Sequence, residues 1–540
     1  MPAQMALGLL WLVLLAVIRP ISMPDEGRYA GVARDMVVYS DWLVPRQNGM
    51  PFFHKPPMFY WLDAFAMSSW GVNLFTIRFA SLTAAALTLV MFFVHLRHSV
   101  GSQHPLLRQS LVVWLLAPLP VMAAQYANLD MTVAGMITAT IVCWAHASTP
   151  VPGSHWPLTW ARLGWFFAAL GLLSKGLIGV ALPLLVVGPW GLWRVWRALP
   201  DRASRNVWPA WRAQLAIWLN WPALVGFAVL TLPWFLVLEW RFPGFNHYFF
   251  IDQQVSRYVG QNFNNAQPAL FYIVVLILLM LPWSLWWLLA AARRVWPRLA
   301  QWGADAPDTR ATGDASAAVP REWLALWLWW LVAITLFFSV PNSKLVGYIL
   351  PVMLPVVVLT ACILRSWPDG ALKRRVAGTA FALIVLLPWI FVGVDHKSLR
   401  DLPQAINARI AAHPAEAQIP LVFFEENRRD LNLLTHTRVR PWIVHDWREE
   451  ANTADNWAKE LLDGRRFDPA MAAQVLVMPQ DLRQRLCAVP LAWLVVDEKE
   501  VSAPFANLAR QYPNQLQALA RESRRGSDWV LYQWKSQPGC

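Results

Sequence analysis

The chain has 540 residues, 57% of them hydrophobic and only 15% charged, with 35 tryptophans. A soluble domain carries roughly 25% charge, so the composition excludes an ordinary soluble protein and points to an α-helical polytopic membrane protein. The formal net charge of +13 would suggest nucleic acid in a soluble chain. Here the arginines fall in short loops between apolar runs, where they set topology and meet anionic membrane lipids. With no zinc-ligand spacing and no basic recognition helix, no nucleic acid partner is expected. The four cysteines make no framework: Cys143 and Cys362 lie in apolar runs, and Cys487 and Cys540 lie near the C-terminus, where a bridge is one option.

The first apolar run, Met5–Ile18, lacks a basic leader and a small-residue cleavage site, so it reads as a retained anchor. A charged island, Ser22–Trp61, follows it. Arg28, Asp35 and Met36 lie at helical spacing from Asp25 and Val32, which predicts an amphipathic helix along the membrane surface. Trp42, Phe52, Phe53, Phe59, Tyr60 and Trp61 suit an interfacial aromatic belt. Asp35 and Asp41 read as surface or capping residues.

Beyond the island, apolar runs of the length a bilayer requires recur. Eleven segments are expected: 5–21, 72–94, 109–124, 130–147, 160–174, 177–193, 214–238, 268–290, 323–340, 346–364 and 376–394. Alternate loops hold the arginine clusters (Arg97 and Arg108; Arg162; Arg194–Arg212; Arg293–Arg321; Arg365–Arg375) and are expected in the cytoplasm. The N-terminus is then inside, and an odd number of spans puts everything after Val394 outside. The stretch Gly303–Pro320 reads as a flexible cytoplasmic loop.

From Asp395 the composition becomes that of a soluble domain of α/β type, spanning 395–540, after a membrane domain of 1–394 that carries a catalytic loop at 22–70. Strands are expected at Leu421–Phe424, Val439–Val444, Gln474–Met478, Leu491–Val496 and Trp529–Trp534. Helices are expected at Trp457–Leu462 and Phe505–Leu519, the second broken at Pro513.

The loops on the outer face carry the charges that are expensive near hydrocarbon and mark function: Asp25, Glu26, Arg28 and Lys55; Asp130; Lys175; the segment Asn246–Tyr258; Lys344 with Tyr348. Cations outnumber acids. Such a set suits a phosphate whose negative charge grows as a bond breaks. A carboxylate kept ionised by neighbouring cations can act as general base on a hydroxyl, and Asp25, opening the island with Glu26 as its lesser neighbour, is the candidate. Asp130 also reads as an N-terminal helix cap, and Lys175 and Lys344 as snorkelling turn residues. A transporter of lipid-linked sugars would share the basic residues, but it should bury them near the midplane of broken helices, whereas these gather at loop ends.

Several motifs carry a family resemblance when taken in order. They are Asp25-Glu26-Gly27-Arg28-Tyr29, Ser40-Asp41-Trp42, Phe53-His54-Lys55-Pro56-Pro57, Leu129-Asp130, Ser174-Lys175-Gly176, Leu232-Pro233-Trp234, His247-Tyr248-Phe249-Phe250 with Arg257, Leu281-Pro282-Trp283, and Lys344-Leu345 through Tyr348-Ile349-Leu350. Over about the first 365 residues the chain resembles the GT-C superfamily of lipid-dependent membrane glycosyltransferases. The nearest branch is the undecaprenyl-phosphate aminoarabinose transferases that modify lipid A, with protein O-mannosyltransferases as cousins. The resemblance implies a polyprenyl-phosphate sugar donor, an envelope acceptor such as lipid A, another periplasmic glycan or a protein hydroxyl, and a pocket facing the periplasm in the bacterial inner membrane. It implies donor-phosphate contacts at Arg28, Lys55, Lys175 and Lys344, and substrate contacts at Tyr29, His54, Asp130, His247, Gln254, Arg257 and Tyr348. Two departures concern cofactors. The branch has Glu-Lys-Pro where this chain has His54-Lys55-Pro56, and Glu-His where it has Gln253-Gln254. That Glu and His are associated with a divalent metal, and glutamines are poor ligands beside histidine or carboxylate, so no cofactor is certain here and a divalent metal at a His54-based site is one option.

The topology has a direct check. A reporter fused after Ser398 is expected to be active outside the cytoplasm and one near Asp305 inside; cytoplasmic activity of the Ser398 fusion would overturn both the span count and the common outer face.

Overall fold

A computed structural model describes residues 2–149, 156–198, 208–256, 265–292, 319–366, 370–393, 398–452, 456–524 and 526–537. The loop expected at Gly303–Pro320 lies almost wholly outside the described residues, as do Arg257 and Cys540. The chain is a helical multi-pass membrane protein with a small sheet-containing C-terminal domain. Each of the eleven expected segments is helical in whole or part, but the count of uninterrupted spans is lower. Among the described residues, six helices are long and apolar enough to cross a membrane, and a seventh span results if the bent pair Pro105–Leu116 and Pro118–Ala124 is one crossing. The difference has physical causes. Pro118 divides one run at a 59° bend, the run 268–290 splits into Phe271–Leu279 and Ser284–Ala292 around Pro282, and α1 (Pro2–Ile18) has only 17 residues.

Contacts divide the chain into two units. The first comprises Met1–Ala16, Ser81–Val237 and Asn246–Trp389. Its axis is the helix Leu129–Ser148, buried along its whole length, with Trp156–Lys175 and Ile178–Ala198 against it. Gly171 and Gly179 let the latter two helices approach backbone to backbone, the close packing that small residues permit in membranes.

The second unit comprises Val17–Ala80, Leu238–Phe245 and Ile390–Cys540. It begins with α2 (Asp25–Val38), continues through a two-strand hairpin, β1 (Arg46–Gln47) and β2 (Met50–Pro51), and then α3 (Met58–Trp70). Asn48 and Gly49, with φ of 55° and 84°, form the hairpin turn, a conformation that Asn-Gly adopts readily. The α2 helix is not an amphipathic surface helix: Glu26, Tyr29, Arg34 and Asp35 are buried along with its apolar residues. The aromatic belt is likewise mostly interior. Phe52, Phe53, Phe59 and Tyr60 are buried, while Trp42 is exposed.

The C-terminal part holds a six-stranded sheet in the order β5-β4-β3-β6-β8-β7, made of β3 (Leu421–Phe424), β4 (Trp442–Val444), β5 (Leu476–Val477), β6 (Leu491–Asp497), β7 (Leu516–Arg524) and β8 (Ser527–Lys535). The first four pair in parallel, and β8 and β7 add antiparallel. Both faces are covered, so strand residues alternate between two cores: Trp493 and Val495 join Leu421 and Phe423 on one face, Leu494 and Val496 join Val422 and Phe424 on the other. This is the continuous apolar pattern of strands buried on both sides. Of the expected helix Phe505–Leu519 only Ala503–Gln511 forms; beyond Pro513 the chain becomes β7.

The island is built into this domain. Met50 enters the core formed by Leu421, Ile443 and Trp493. Asn48 donates to the Asn427 side chain at 2.9 Å and accepts from Asn432 at 3.0 Å. Arg34 donates to the carbonyls of Thr435 and Thr437 at 3.2 and 2.6 Å. Asp35, expected at the surface, is buried, accepts from the Gly49 N–H at 3.0 Å, and is pushed up to about 6, chiefly by burial. Asp41 caps no helix; it accepts from the Val44 N–H across a turn and pairs with Arg46.

Candidate functional site

In the second unit the start of α2 is fixed by a buried ion cluster. Glu26 is fully buried. One carboxylate oxygen accepts from Arg19 at 2.6 Å and Arg78 at 2.9 Å; the other accepts from Ser22 N–H at 2.6 Å and Arg78 at 3.0 Å. Arg78 also donates to the carbonyls of Arg19 and Pro20, at 2.8 Å each. Every lone pair of Glu26 thus faces a protein donor, and the turn that leads out of α1 is pinned to the first turn of α2.

One residue earlier, Asp25 is half-buried. It pairs with Arg28, three residues on along the same helical face. The other arm of Arg28 pairs with Glu460, from the helix Trp457–Arg465. Glu460 also takes Arg429 at 2.6 Å. Burial alone would push the Glu460 carboxyl up, but Arg28, then Arg429 and His54, hold it down at about 2. Arg28 lies over the Tyr29 ring at 4.8 Å, and Tyr60, 6.5 Å from Tyr29, has its hydroxyl buried with no partner among the described residues. His54 stacks on Phe52 and faces Asp463 at 3.7 Å. Lys55 is half-buried beside it.

In the first unit a second cluster forms where three elements meet. Asp130 stands in the first turn of Leu129–Ser148, where it is not the cap: Asn128 accepts from the Asp130 N–H. Its carboxylate pairs with Lys175, the last residue of Trp156–Lys175. The Lys175 ammonium also lies 4.2 Å over the Tyr348 ring. Gly347 must lack a side chain, since a Cβ there would run into the Asp130 carboxylate. Gly176 turns the chain with φ of 83°, and Gln254 accepts from the Leu177 N–H at 2.7 Å. Lys344 is buried and donates to the Gln267 carbonyl at 2.9 Å. His247 does not join the cluster; it is exposed and lies 4.0 Å from Asp252.

The residues do not fit a divalent metal. Among the described residues no three His, Cys, Asp or Glu side chains converge. Gln253 donates to the Tyr248 hydroxyl and the Gln254 oxygen is engaged as described. No step is routed through a metal.

Expected site residues therefore gather in two sets: Asp25, Arg28 and Tyr29 in one unit, Asp130, Lys175 and Tyr348 in the other. Sequence reasoning missed Glu460 and Arg429, and Arg19 and Arg78 around Glu26. Glu460 sits in Trp457–Arg465 as one charge among several on an ordinary helix, and nothing local distinguishes it.

A family model described as dolichyl-phosphate-mannose-protein mannosyltransferase matches residues 13–249. An undecaprenyl phosphate-alpha-4-amino-4-deoxy-L-arabinose arabinosyl transferase of Sodalis glossinidius is 31% identical over 404 residues, 71% of this chain and 65% of that protein. One from Pseudomonas aeruginosa is 32% identical over 360 residues, 66% of this chain and 57% of that protein. The chain thus spans less than two thirds of the length of these relatives. The crystal structure of ArnT from Cupriavidus metallidurans bound to undecaprenyl phosphate has the same fold, with a TM-score of 0.72 at 22% identity, covering 98% of this chain and 97% of that one.

The Glu460 pairings have a pH signature. With its folded value at about 2, below the ordinary 4.3 or so, Glu460 contributes stability that is complete above the unfolded value and is lost as pH falls toward 2. Losing it leaves two buried guanidinium groups short of a partner, at a cost of roughly 3–5 kcal/mol. In thermal unfolding, the gap between wild type and Glu460→Gln is expected to be constant near neutrality and to narrow below about pH 4.3. A gap that stays constant down to pH 3 would contradict the pairing.

Proposed function

We propose that the chain is a member of the GT-C superfamily of membrane glycosyltransferases, and within it of the aminoarabinose-transferase-like family, and that it transfers a sugar from an undecaprenyl-phosphate donor to an envelope acceptor, either lipid A or another periplasmic glycolipid or glycan. The observation that carries this reading is the Asp25–Arg28–Glu460 relay. A carboxylate fixed by an arginine is a base placed for a hydroxyl acceptor, and positive charge is what a departing lipid phosphate needs. The match to a mannosyltransferase family model supports a second acceptor, a protein hydroxyl.

In this mechanism Asp25 takes the proton of the acceptor hydroxyl as its oxygen attacks the anomeric carbon. The bond from that carbon to the phosphate oxygen breaks on the opposite side, and the polyprenyl phosphate leaves with the electron pair, giving inversion. Arg28, Lys55, Lys175 and Lys344 are assigned to the donor phosphate. Tyr29, His54, Asp130, His247, Gln254, Arg257 and Tyr348 are assigned to substrate. Glu26, with both oxygens occupied by arginines and a backbone N–H, is assigned to holding Asp25 in place, in preference to the chemical step. If the acceptor is a phosphate it is already anionic, and Asp25 orients it. The proposed orientation is the one drawn from the basic loops: in the bacterial inner membrane, with the N-terminus in the cytoplasm and catalytic loop 22–70 and domain 395–540 in the periplasm.

Asp25→Asn tests the assignment, because it keeps size and removes charge. Transfer to a hydroxyl acceptor is expected to fall by roughly 10²–10⁴ with donor binding retained, the range for a lost general base. Wild-type turnover by the folded variant would remove Asp25 from the mechanism.

A further inference from the structure

A cavity of about 350 Å³ opens in the second unit beside the C-terminal end of α1. That volume is at the small end for ligand sites, with room for a headgroup and none for two acyl chains. Ile18, Pro20, Ile21 and Leu74 line one side; Arg400 and Gln404, at the start of the helix Asp401–Ala412, line the other. The cavity is therefore apolar where it continues the membrane segment and cationic where it meets the soluble domain.

Arg400 is exposed, and its guanidinium makes no ion pair or hydrogen bond among the described residues. The helix end itself is already taken: Glu522 accepts from the backbone N–H groups of Arg400, Asp401 and Leu402. The guanidinium is thus the group left to meet an anion, and the fold does not need it. The wall formed by Ile18, Pro20, Ile21 and Leu74 is apolar, so the first carbons of a lipid chain can lie there while its headgroup meets Arg400.

We propose that this cavity holds the phosphate headgroup of an anionic membrane phospholipid, with the first acyl carbons against Ile18, Ile21 and Leu74. Occupancy bears on the candidate site through one turn. Pro20 lines the cavity, and its carbonyl accepts from Arg78, which also holds Glu26 at the start of α2. A bound lipid therefore braces the turn that positions Asp25. This coupling rests on the role given to Asp25 above; the binding does not.

The test uses full-length protein, purified and exchanged into an equimolar mixture of phosphatidylglycerol and phosphatidylethanolamine, with retained lipid read by native mass spectrometry. Phosphatidylglycerol is expected to be retained in preference by about tenfold, and Arg400→Glu to abolish the preference, as reversal of one interfacial charge implies. Gln404→Trp, which fills the cavity with a ring and keeps Arg400, is expected to lower retention of phosphatidylglycerol. Thermal unfolding checks that both variants are folded. Equal retention of the two lipids by wild type, or unchanged phosphatidylglycerol retention in both variants, would overturn the proposal. Absence of sugar transfer by wild type that retains phosphatidylglycerol would count against the glycosyltransferase reading and leave the lipid site standing.

Discussion

Two guanidinium groups held on one carboxylate are the constraint on which the second unit depends. Arg28 comes from the loop that follows the first membrane helix, Arg429 and Glu460 from the C-terminal domain more than 400 residues later. Leaving any one of the three without its partners would strand a charge away from water, and breaking such a pair costs roughly 3–5 kcal/mol. The loop and the domain are therefore coupled by charge as well as by packing. Met50 in the domain core and the Asn48–Asn427–Asn432 hydrogen bonds hold the same loop by independent means. An arginine so constrained keeps its remaining arm on Asp25, and that carboxylate inherits a fixed position and a fixed counter-ion.

A second ion cluster acts from the membrane side. Glu26 with Arg19 and Arg78 gathers the end of α1, the beginning of α2 and the approach to the helix Phe79–Val100. Adjacent residues, Asp25 and Glu26, so have different environments: one half-exposed with a shared arginine, the other sealed between two. The sequence shows an acid pair; the surroundings divide its labour. This is the pattern by which neighbouring carboxylates acquire separate roles.

What was legible in the sequence, and what was not, follows from where the deciding forces lie. The strands β3, β6 and β8 were readable because a strand buried on both faces is a continuous apolar run. The strand β7 was not: Leu516–Arg524 carries a helix-like composition, and its conformation comes from pairing with β8, a tertiary term that overrides local preference. The hairpin was announced by Asn48-Gly49 and passed over as loop. Asp35 read as a surface charge because nothing within the loop reveals that its partner Arg34 will be held by the carbonyls of Thr435 and Thr437. The span count was too high for uninterrupted helices in part because hydropathy does not register the breaks at Pro118 and around Pro282 or the shortness of α1. Of the candidate site, Asp25, Arg28, Asp130 and Lys175 were visible as charges out of place beside apolar runs. Glu460 was invisible, since on an exposed-looking helix a glutamate is the expected residue.

The central claim is that Glu460 governs Asp25 through Arg28, and a double-mutant cycle on transfer rate measures it most directly. Arg28→Ala, Glu460→Gln and the combination would be compared with wild type, each checked for folding. The account predicts strong non-additivity, with Glu460→Gln costing far less once Arg28 is gone, because the two act as one unit. Additive losses in free energy would show that Glu460 acts independently of Arg28 and would contradict the account.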